Sequence, residues 1–308
     1  MSRFLFYSDL QLSGKRPRHR VDDYPAALLK KLAEAYQKAL DEGCDFVVCG
    51  GDFFNRYRMF SYDLINDMVD IVGSSPLKTY MAIGQHDIHG YNPSSYRSST
   101  HSFVARYCPQ MEVLWEPVDL GDLILEAAHV WADWQEVLKR TPSRKKKSVL
   151  VAHLPLYRGH VPFDVIDVDQ AYGCPFDLVV SGDIHAGYDA VEVDGTTFCN
   201  PGAMARQTVR EVDRVVQVAV IDCVPRKPIE VKVIPLQSAQ GGEAVFSEDA
   251  LEQSEDAIEL DVSDFVEDML ELEAESVDVF ELIQKVAEKT GLDPEVLEYI
   301  LSKRPKAE

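Results

Sequence analysis

Residues 46–55 read FVVCGGDFFN: four apolar residues, two glycines and then Asp52. A short apolar run of this kind is typical of a strand that is buried on both faces of a parallel sheet. Asp52 follows the predicted strand closely, so we expect it at the carboxyl end, where α/β sheets place their binding sites. A single aspartate in this position is more often a helix cap, and its meaning therefore depends on the other strands.

Four further apolar runs end in aspartate, histidine or an amide. These predicted strands are Phe4–Ser8, Thr79–Ile83, Val149–Ala152 and Leu178–Ser181. After them come, in the same order, Asp9-Leu10-Gln11, Gly84-Gln85-His86-Asp87, His153 and Gly182-Asp183-Ile184-His185. Because the carboxyl ends of neighbouring strands meet at one edge of a sheet, we expect these side chains to converge. Alternation of such runs with helical stretches favours an α/β fold class.

The order of these blocks resembles the calcineurin-like metallophosphoesterase superfamily, whose blocks run DxH, GDxxN, GNHD, a lone His and GHxH. The resemblance covers about residues 4–206. It implies an α/β fold built as a two-layered β-sheet sandwich flanked by helices, with a small C-terminal helical tail. Within the superfamily the chain is most similar to SbcD-type DNA exonuclease subunits. That finer resemblance depends on Phe53-Phe54-Asn55, on the turn Asn200-Pro201-Gly202-Ala203 and on the extended tail.

The resemblance implies a site for two divalent metal ions. Asp52 would bridge the ions, because the two oxygens of one carboxylate reach metals that lie about 3.5–4 Å apart. The first ion would be held by Asp9, Gln11 and His185, and the second by Gln85, His153 and Asp183. His86 would be the acid that protonates the leaving oxygen, and Asp87 would orient its imidazole.

Three ligand positions differ from the family pattern. Gln11 and Asp183 stand where the family has histidine, and Gln85 stands where it has asparagine. The donor set is therefore rich in oxygen, which favours Mn²⁺, with Mg²⁺ as the alternative, over Zn²⁺. Since a neutral amide is a poorer ligand than imidazole, Gln11 also leaves open a weakened first site that fills only at high metal concentration.

A metal-dependent nuclease that hydrolyses DNA phosphodiesters is the leading functional hypothesis. The resemblance implies that it is the nuclease subunit, exonuclease or endonuclease, of a complex with an SbcC-type coiled-coil ATPase. Two other hypotheses stay open. One is a phosphodiesterase or phosphatase that acts on small nucleotides or phosphoproteins. The other is a metal-poor, non-catalytic scaffold that anchors an ATPase partner.

Aromatic residues can be interpreted in two ways. A group of them offers surfaces on which bases could stack: Trp115, Trp131, Trp134, Tyr91, Tyr96 and Tyr107. Aromatic residues at this density usually belong to a hydrophobic core, so we expect these residues to be core residues.

Charge divides the chain into two unequal parts. The 308 residues carry a net charge of −21, and residues 237–308 contain 21 acidic and 5 basic residues. Residues 1–236 are therefore only weakly acidic, which does not exclude a polyanionic substrate. We predict a metallophosphoesterase (nuclease) domain over 1–236, an acidic linker over 237–262 and a helical tail over 263–308.

The tail is predicted to bind a partner. Apolar residues recur at three- and four-residue spacing in Val277–Thr290 and Pro294–Lys303, and helices this short are not stable alone. From the resemblance, they would grip the coiled coil of the ATPase. Docking on the first domain is the alternative, and a homodimer is left open.

A cytoplasmic protein without a membrane span is expected, because the sequence has neither a long apolar run, nor a signal-peptide pattern, nor a disulfide framework.

Overall fold

Short apolar runs form two six-stranded sheets in the computed structural model, which describes residues 2–142, 145–159 and 164–253. The strands are β1 (Ser2–Tyr7), β2 (Phe46–Cys49), β3 (Thr79–Met81), β4 (Met111–Val113), β5 (Val118–Asp119), β6 (Leu123–Ala128), β7 (Lys147–Ala152), β8 (Leu156–Tyr157), β9 (Ile166–Asp167), β10 (Leu178–Ser181), β11 (Tyr188–Val193), β12 (Thr196–Asn200), β13 (Gln217–Cys223) and β14 (Glu230–Pro235). The first sheet has the order β14-β13-β1-β2-β3-β4, the second has the order β11-β12-β10-β7-β6-β5, and β8 and β9 form a separate two-stranded sheet. Strands β1 to β4 run parallel to one another, as do β12, β10, β7 and β6. Each sheet therefore presents a row of carboxyl ends at one edge.

The helices connect and cover the strands. They are α1 (Tyr24–Asp41), α2 (Tyr62–Gly73), α3 (Thr100–Tyr107), α4 (Trp134–Val137), α5 (Gly242–Val245) and α6 (Glu248–Gln253). Helix α1 begins after Asp23, whose carboxylate accepts the backbone N–H of Ala26 and so satisfies a free donor of the first turn. Among the helices described, none combines the length and the apolar character that crossing a membrane requires.

Alternate side chains of each strand point to opposite faces of its sheet and pack into different layers. Phe4 and Phe6 of β1 share a buried cluster with Val180 of the second sheet, so this cluster fills the space between the sheets. Leu5, on the opposite face of β1, belongs to a cluster with Leu28 of α1. The outer face of the second sheet is covered in the same way by a third cluster. The predicted two-layered sandwich flanked by helices is therefore confirmed.

Residues 237–253 differ from the acidic linker predicted to begin at residue 237. Helices α5 and α6 lie in this stretch, and Val245, Phe246 and Ala250 are buried. The Arg20 guanidinium lies 5.5 Å from the centre of the Phe246 ring. The compact unit that contains both sheets therefore extends to Ser254, because these apolar side chains pack into it. The rest of the predicted linker and the helical tail lie outside the described residues.

Candidate metal centre

The predicted ligands lie together at the carboxyl ends of parallel strands from both sheets. In the first sheet, Asp9 and Gln11 follow β1, Asp52 follows β2 and Gln85 follows β3. In the second sheet, His153 follows β7, and Asp183 and His185 follow β10. The backbone N–H of Asp183 donates to Oδ2 of Asp9 at 3.2 Å, so the two rows of strand ends meet directly.

Asp9, Asp52 and His153 form the centre of the site. Each offers one ligand atom, and the three atoms lie within 4.8 Å of one another. All three residues are buried. Oδ1 of Asp9, Oδ2 of Asp52 and Oε1 of Gln11 are buried without a hydrogen-bond partner among the described residues. Such oxygens are costly unless a cation neutralises them, so this donor set fits a divalent metal ion.

The backbone is strained at the ligands. In the described part of the chain, seven non-glycine residues have a positive φ, and four of them are predicted ligands: Asp9 (52°), Gln11 (45°), Asp52 (49°) and Asp183 (77°). A conformation of this kind costs about 1–3 kcal/mol and persists where the surrounding structure enforces it. Here the N–H of Asp9 donates to the Gly51 carbonyl and the N–H of Gln11 to the Asp52 carbonyl. Strain at this position supports a functional role, because such residues cluster at active sites and ligand sites.

His153 is held with its Nε2 atom towards the acidic ligands. Its Nδ1–H donates to the Gly50 carbonyl at 2.8 Å, which fixes the direction of the ring. Nε2 lies 2.8 Å from Oε1 of Gln85 and 3.6 Å from Oδ2 of Asp52. Burial lowers the pKa of His153, but the neighbouring carboxylates, Asp52 foremost, outweigh burial and raise it well above its ordinary value. The potential at this point is therefore strongly negative, which favours a bound cation.

Asp52 lies where the two groups of ligands meet. Its Oδ1 accepts the backbone N–H of His86 at 2.9 Å, and a Cβ at Gly84 would overlap this oxygen. Burial raises the pKa of Asp52, but the charges of His153 and His86 outweigh burial and lower it to about 2. Asp52 is therefore ionised at neutral pH, as a bridging carboxylate must be.

Gln85 and Asp183, two of the positions that differ from the family pattern, contact each other. Nε2 of Gln85 donates to Oδ1 of Asp183 at 3.2 Å, while its Oε1 accepts from His153. The glutamine is one methylene longer than the family asparagine, and the aspartate is shorter than the family histidine. The two substitutions therefore compensate each other in length across this side of the site.

Gln11 and His185 contact each other on the opposite side. The Gln11 amide N–H donates to Nε2 of His185 at 3.0 Å, and this nitrogen lies 4.0 Å from Oδ1 of Asp9. Nδ1 of the same ring lies 3.4 Å from Oε1 of Glu211. Burial raises the pKa of Glu211, but His185 and Arg214 outweigh burial and lower it to about 2. Glu211 is thus an anion that fixes the ring of His185.

Sequence reasoning missed Glu211. It follows no strand and belongs to none of the five blocks, since it ends a 3₁₀ turn, Val209–Glu211, in a long connection. The signal that could have found it is Thr208 three residues earlier, because the Glu211 carboxylate accepts the Thr208 backbone N–H at 2.9 Å in a capping box.

The position of Asp87 differs from the predicted one beside the imidazole of His86. Its buried carboxylate accepts backbone N–H groups from Asp52 and Gly84, both at 3.0 Å, and from Phe54 at 3.4 Å. In the part of the chain that the structure describes, no hydrogen bond joins it to the imidazole. Successive residues of the 3₁₀ turn Gln85–Asp87 point in different directions. Asp87 therefore supports the loops that carry the ligands, instead of orienting the proton donor.

His86 occupies the open side of the site. Its side chain is 28% exposed, and its Nε2 lies 3.8 Å from Oδ2 of Asp52. The ring is thus close to the central carboxylate and still accessible to a substrate, as expected for a residue that transfers a proton.

Replacing Glu211 by glutamine is expected to weaken metal binding about 10- to 100-fold, the range typical of residues that orient a ligating histidine. The reason is that the backbone N–H groups of Gln207 and Thr208 keep the amide oxygen, so the amide nitrogen, which cannot accept from Nδ1–H, faces His185. Calorimetric titration with Mn²⁺ measures the change, and Glu192→Gln, an exposed glutamate on β11, serves as the matched control. Equal affinities of the two variants would contradict the role of Glu211.

Comparison with known proteins bears on the family and the fold of the chain. The family model described as calcineurin-like phosphoesterase matches residues 2–187, more than half of the chain. No curated protein matches the sequence. The fold is similar to that of a dimetal phosphatase from Danio rerio, with a TM-score of 0.53 and 11% identity over 76% of this chain and 96% of that one.

A second similar structure is a purple acid phosphatase from seeds of yellow lupin (Lupinus luteus). Its TM-score is 0.50, with 13% identity over 78% of this chain and 52% of the lupin chain. This chain therefore matches about half the length of that enzyme. At such identities the similarity of structure concerns the fold alone. From the extent of the family match and the convergence of its blocks on one site, we conclude that the chain belongs to the calcineurin-like phosphoesterase family.

Proposed function

We propose that the protein is a metal-dependent nuclease that hydrolyses DNA phosphodiesters, as the nuclease subunit of an SbcC/SbcD-like complex. One observation supports the hydrolase at its centre. Oδ2 of Asp52, buried and without a hydrogen-bond partner in the described part of the chain, lies 3.8 Å from Nε2 of the accessible His86 ring, and Asp9, Asp52 and His153 offer ligand atoms within 4.8 Å of one another. A cation site and a proton donor are thus within reach of a single phosphoester.

The two motifs that suggest the SbcD type brace the loops around this site. Oδ1 of Asn55 accepts from the Gln207 amide at 2.7 Å. The Asn200 amide donates to the Ile184 carbonyl at 2.9 Å, and its Oδ1 accepts the N–H of Gly202 at 2.8 Å. These contacts link the Asn200 turn to the loop that carries Asp183 and His185. They support a positioning role for both motifs in the proposed nuclease.

Asp9, Asp52 and His153 would hold the divalent metals, with Gln11 and His185 on one side and Gln85 and Asp183 on the other. When bound, such metals lower the pKa of a coordinated water and neutralise charge that develops on the phosphoryl oxygens. The oxygen-rich donor set favours Mn²⁺, with Mg²⁺ as the alternative. His86 would donate the proton from Nε2 to the departing oxygen.

Incubating the full chain with linear DNA and Mn²⁺ tests the proposal. We expect the DNA to be cut with Mn²⁺, less efficiently with Mg²⁺, and not after chelation of the metal. A p-nitrophenyl phosphomonoester and a p-nitrophenyl phosphodiester accompany the DNA. Hydrolysis of the monoester alone would identify a phosphatase. Bound metal without hydrolysis of any substrate would favour the non-catalytic scaffold.

The tail proposal has its own test. We propose that residues after Ser254 bind a coiled-coil ATPase of the SbcC type. Truncation after Ser254 is expected to preserve hydrolysis of the p-nitrophenyl phosphodiester and to abolish capture of the ATPase in a pull-down. The cut belongs there because a chain ending at residue 236 would lose Phe246, which is buried in the first unit. Undiminished capture by the truncated chain would refute the proposal.

A further inference from the structure

Two strand ends continue the row of carboxyl ends beyond the metal centre. In the first sheet β4 lies next to β3, and in the second β6 lies next to β7. Trp115 follows β4, and His129 and Trp131 follow β6. The sheets therefore place aromatic residues at the edge where the ligand-bearing strands place their acidic residues. We call Trp115, His129 and Trp131 the aromatic platform.

Backbone contacts fix the aromatic platform beside the ligands. The N–H of Val130 donates to the Ile83 carbonyl at 3.0 Å, two residues before Gln85. The N–H of Ile83 in turn donates to Nδ1 of His129 at 3.1 Å. The N–H of His153 donates to the Ala128 carbonyl at 2.8 Å. The platform is thus joined directly to the loop of Gln85 and His86 and to the ligand His153.

The three rings pack against one another. The rings of Trp115 and Trp131 are nearly parallel, with an interplanar angle of 24° and centroids 6.4 Å apart. The His129 ring lies 5.4 Å from that of Trp115 and 4.8 Å from that of Trp131. The Tyr96 ring packs edge to face against that of Trp115, with the ring centroids 5.0 Å apart. Distances of this size are typical of packed aromatic groups, so the platform is built before any ligand arrives.

Exposure separates Trp115 from the core residues around it, which include the buried ring of His129. Trp134 and Tyr96 are buried, as a core assignment requires, whereas Trp115 is 52% exposed. Burial lowers the pKa of His129 to about 4, so its ring is neutral at neutral pH. The platform therefore offers the uncharged, partly exposed ring of Trp115, packed against Trp131 and the buried His129, next to a strongly charged site. This combination matches a ligand with a flat ring on one side and a phosphate on the other.

We propose that the aromatic platform stacks a nucleobase of the substrate, the base attached next to the phosphoester that is hydrolysed. The inference rests on the proposed nuclease function and adds the residues that would recognise the base of the substrate. Trp115 is a specificity residue here, because it contacts the base and does not touch the reacting atoms. Stacking tolerates any base, so the platform selects for nucleic acid without selecting a sequence.

The test compares two phosphodiesters with the same leaving group: the p-nitrophenyl ester of thymidine 5′-phosphate and the p-nitrophenyl ester of methyl phosphate. With Mn²⁺ and the full chain, Trp115→Ala is expected to raise KM for the thymidine ester about 5- to 150-fold with little change in kcat. The methyl ester has no base, so its KM and kcat should not change, which also shows that the variant is folded. Trp115→Phe keeps a ring and should restore most of the affinity.

Tyr172→Ala is the matched control. Tyr172 is also exposed, at 66%. The adjacent Gly173 N–H donates to Asp194, in the turn that precedes β12, at the opposite end of the strands. Equal losses on both esters would show that Trp115 acts only through the structure, and unchanged kinetics on both would show that no base stacks there. Either result overturns the proposal that the aromatic platform stacks a base.

A binding measurement tests base stacking on the aromatic platform independently of hydrolysis. If the wild-type chain hydrolyses neither ester, the proposed function fails. Calorimetric titration with thymidine 5′-phosphate then shows whether the aromatic platform binds the base. Weaker binding by Trp115→Ala than by the wild type and by Tyr172→Ala supports it, whereas equal binding by all three proteins refutes it.

Discussion

Replacing Asp52 by asparagine will abolish metal binding and hydrolysis together. Oδ1 of Asp52 accepts the His86 backbone N–H, so the asparagine amide oxygen takes this position. The amide nitrogen then replaces Oδ2, which has no hydrogen-bond partner among the described residues, and points N–H groups at the point where a cation would bind. Loss of a residue that merely orients a ligand already lowers metal affinity by up to about 100-fold. We expect the loss of affinity to be larger for Asp52, which would itself be a ligand shared by both ions.

The measurement is metal content of the purified protein by mass spectrometry, together with phosphodiester hydrolysis at increasing Mn²⁺. Asp67→Asn, an exposed aspartate on α2, provides the control for a lost carboxylate. Circular dichroism checks that the Asp52 variant is folded. Retention of one ion would show that Asp52 belongs to a single metal, and retention of both would move the bridge to another residue.

The central ligands could be predicted because each follows an apolar run within a few residues. In that arrangement the position along the chain also fixes the position in space, as for Asp52 after β2 and His153 after β7. Glu211 lacks this link, since a 3₁₀ turn in a long connection brings it to His185. The role of Asp87 could not be predicted either. Its neighbour in sequence is His86, but the direction of its side chain depends on the turn that contains both.

The fold also has a part that local sequence predicts and a part that it does not. Strand positions are encoded locally, so β2 and β10 have the bounds that their apolar runs predict, Phe46–Cys49 and Leu178–Ser181. The stretch after residue 236 is different, because its acidic composition is typical of a linker. Two isolated apolar residues, Val245 and Phe246, nevertheless supply the buried contacts that attach it to the domain. Composition averaged over a window does not detect anchors of this size.

Replacing His86 by alanine will stop DNA hydrolysis and leave the metal content close to that of the wild type. The backbone N–H that supports Asp52 remains in the variant, and only the accessible ring is removed. Loss of a general acid typically costs about 10²- to 10⁴-fold in rate. We expect this loss in kcat on DNA, measured with saturating Mn²⁺. His89→Ala, an exposed histidine three residues away, should keep wild-type activity.

The leaving group separates acid catalysis from other roles of His86. In DNA the departing group is an alkoxide, which needs a proton, whereas p-nitrophenolate is a stable anion and departs without one. The His86→Ala variant should therefore lose much less activity on the p-nitrophenyl ester of thymidine 5′-phosphate than on DNA. A ring that served only to bind phosphate would lower both activities equally, and a ring that ligated metal would lower the metal content as well. Because the ring lies 3.8 Å from Oδ2 of Asp52 and remains partly exposed, we expect neither of these results.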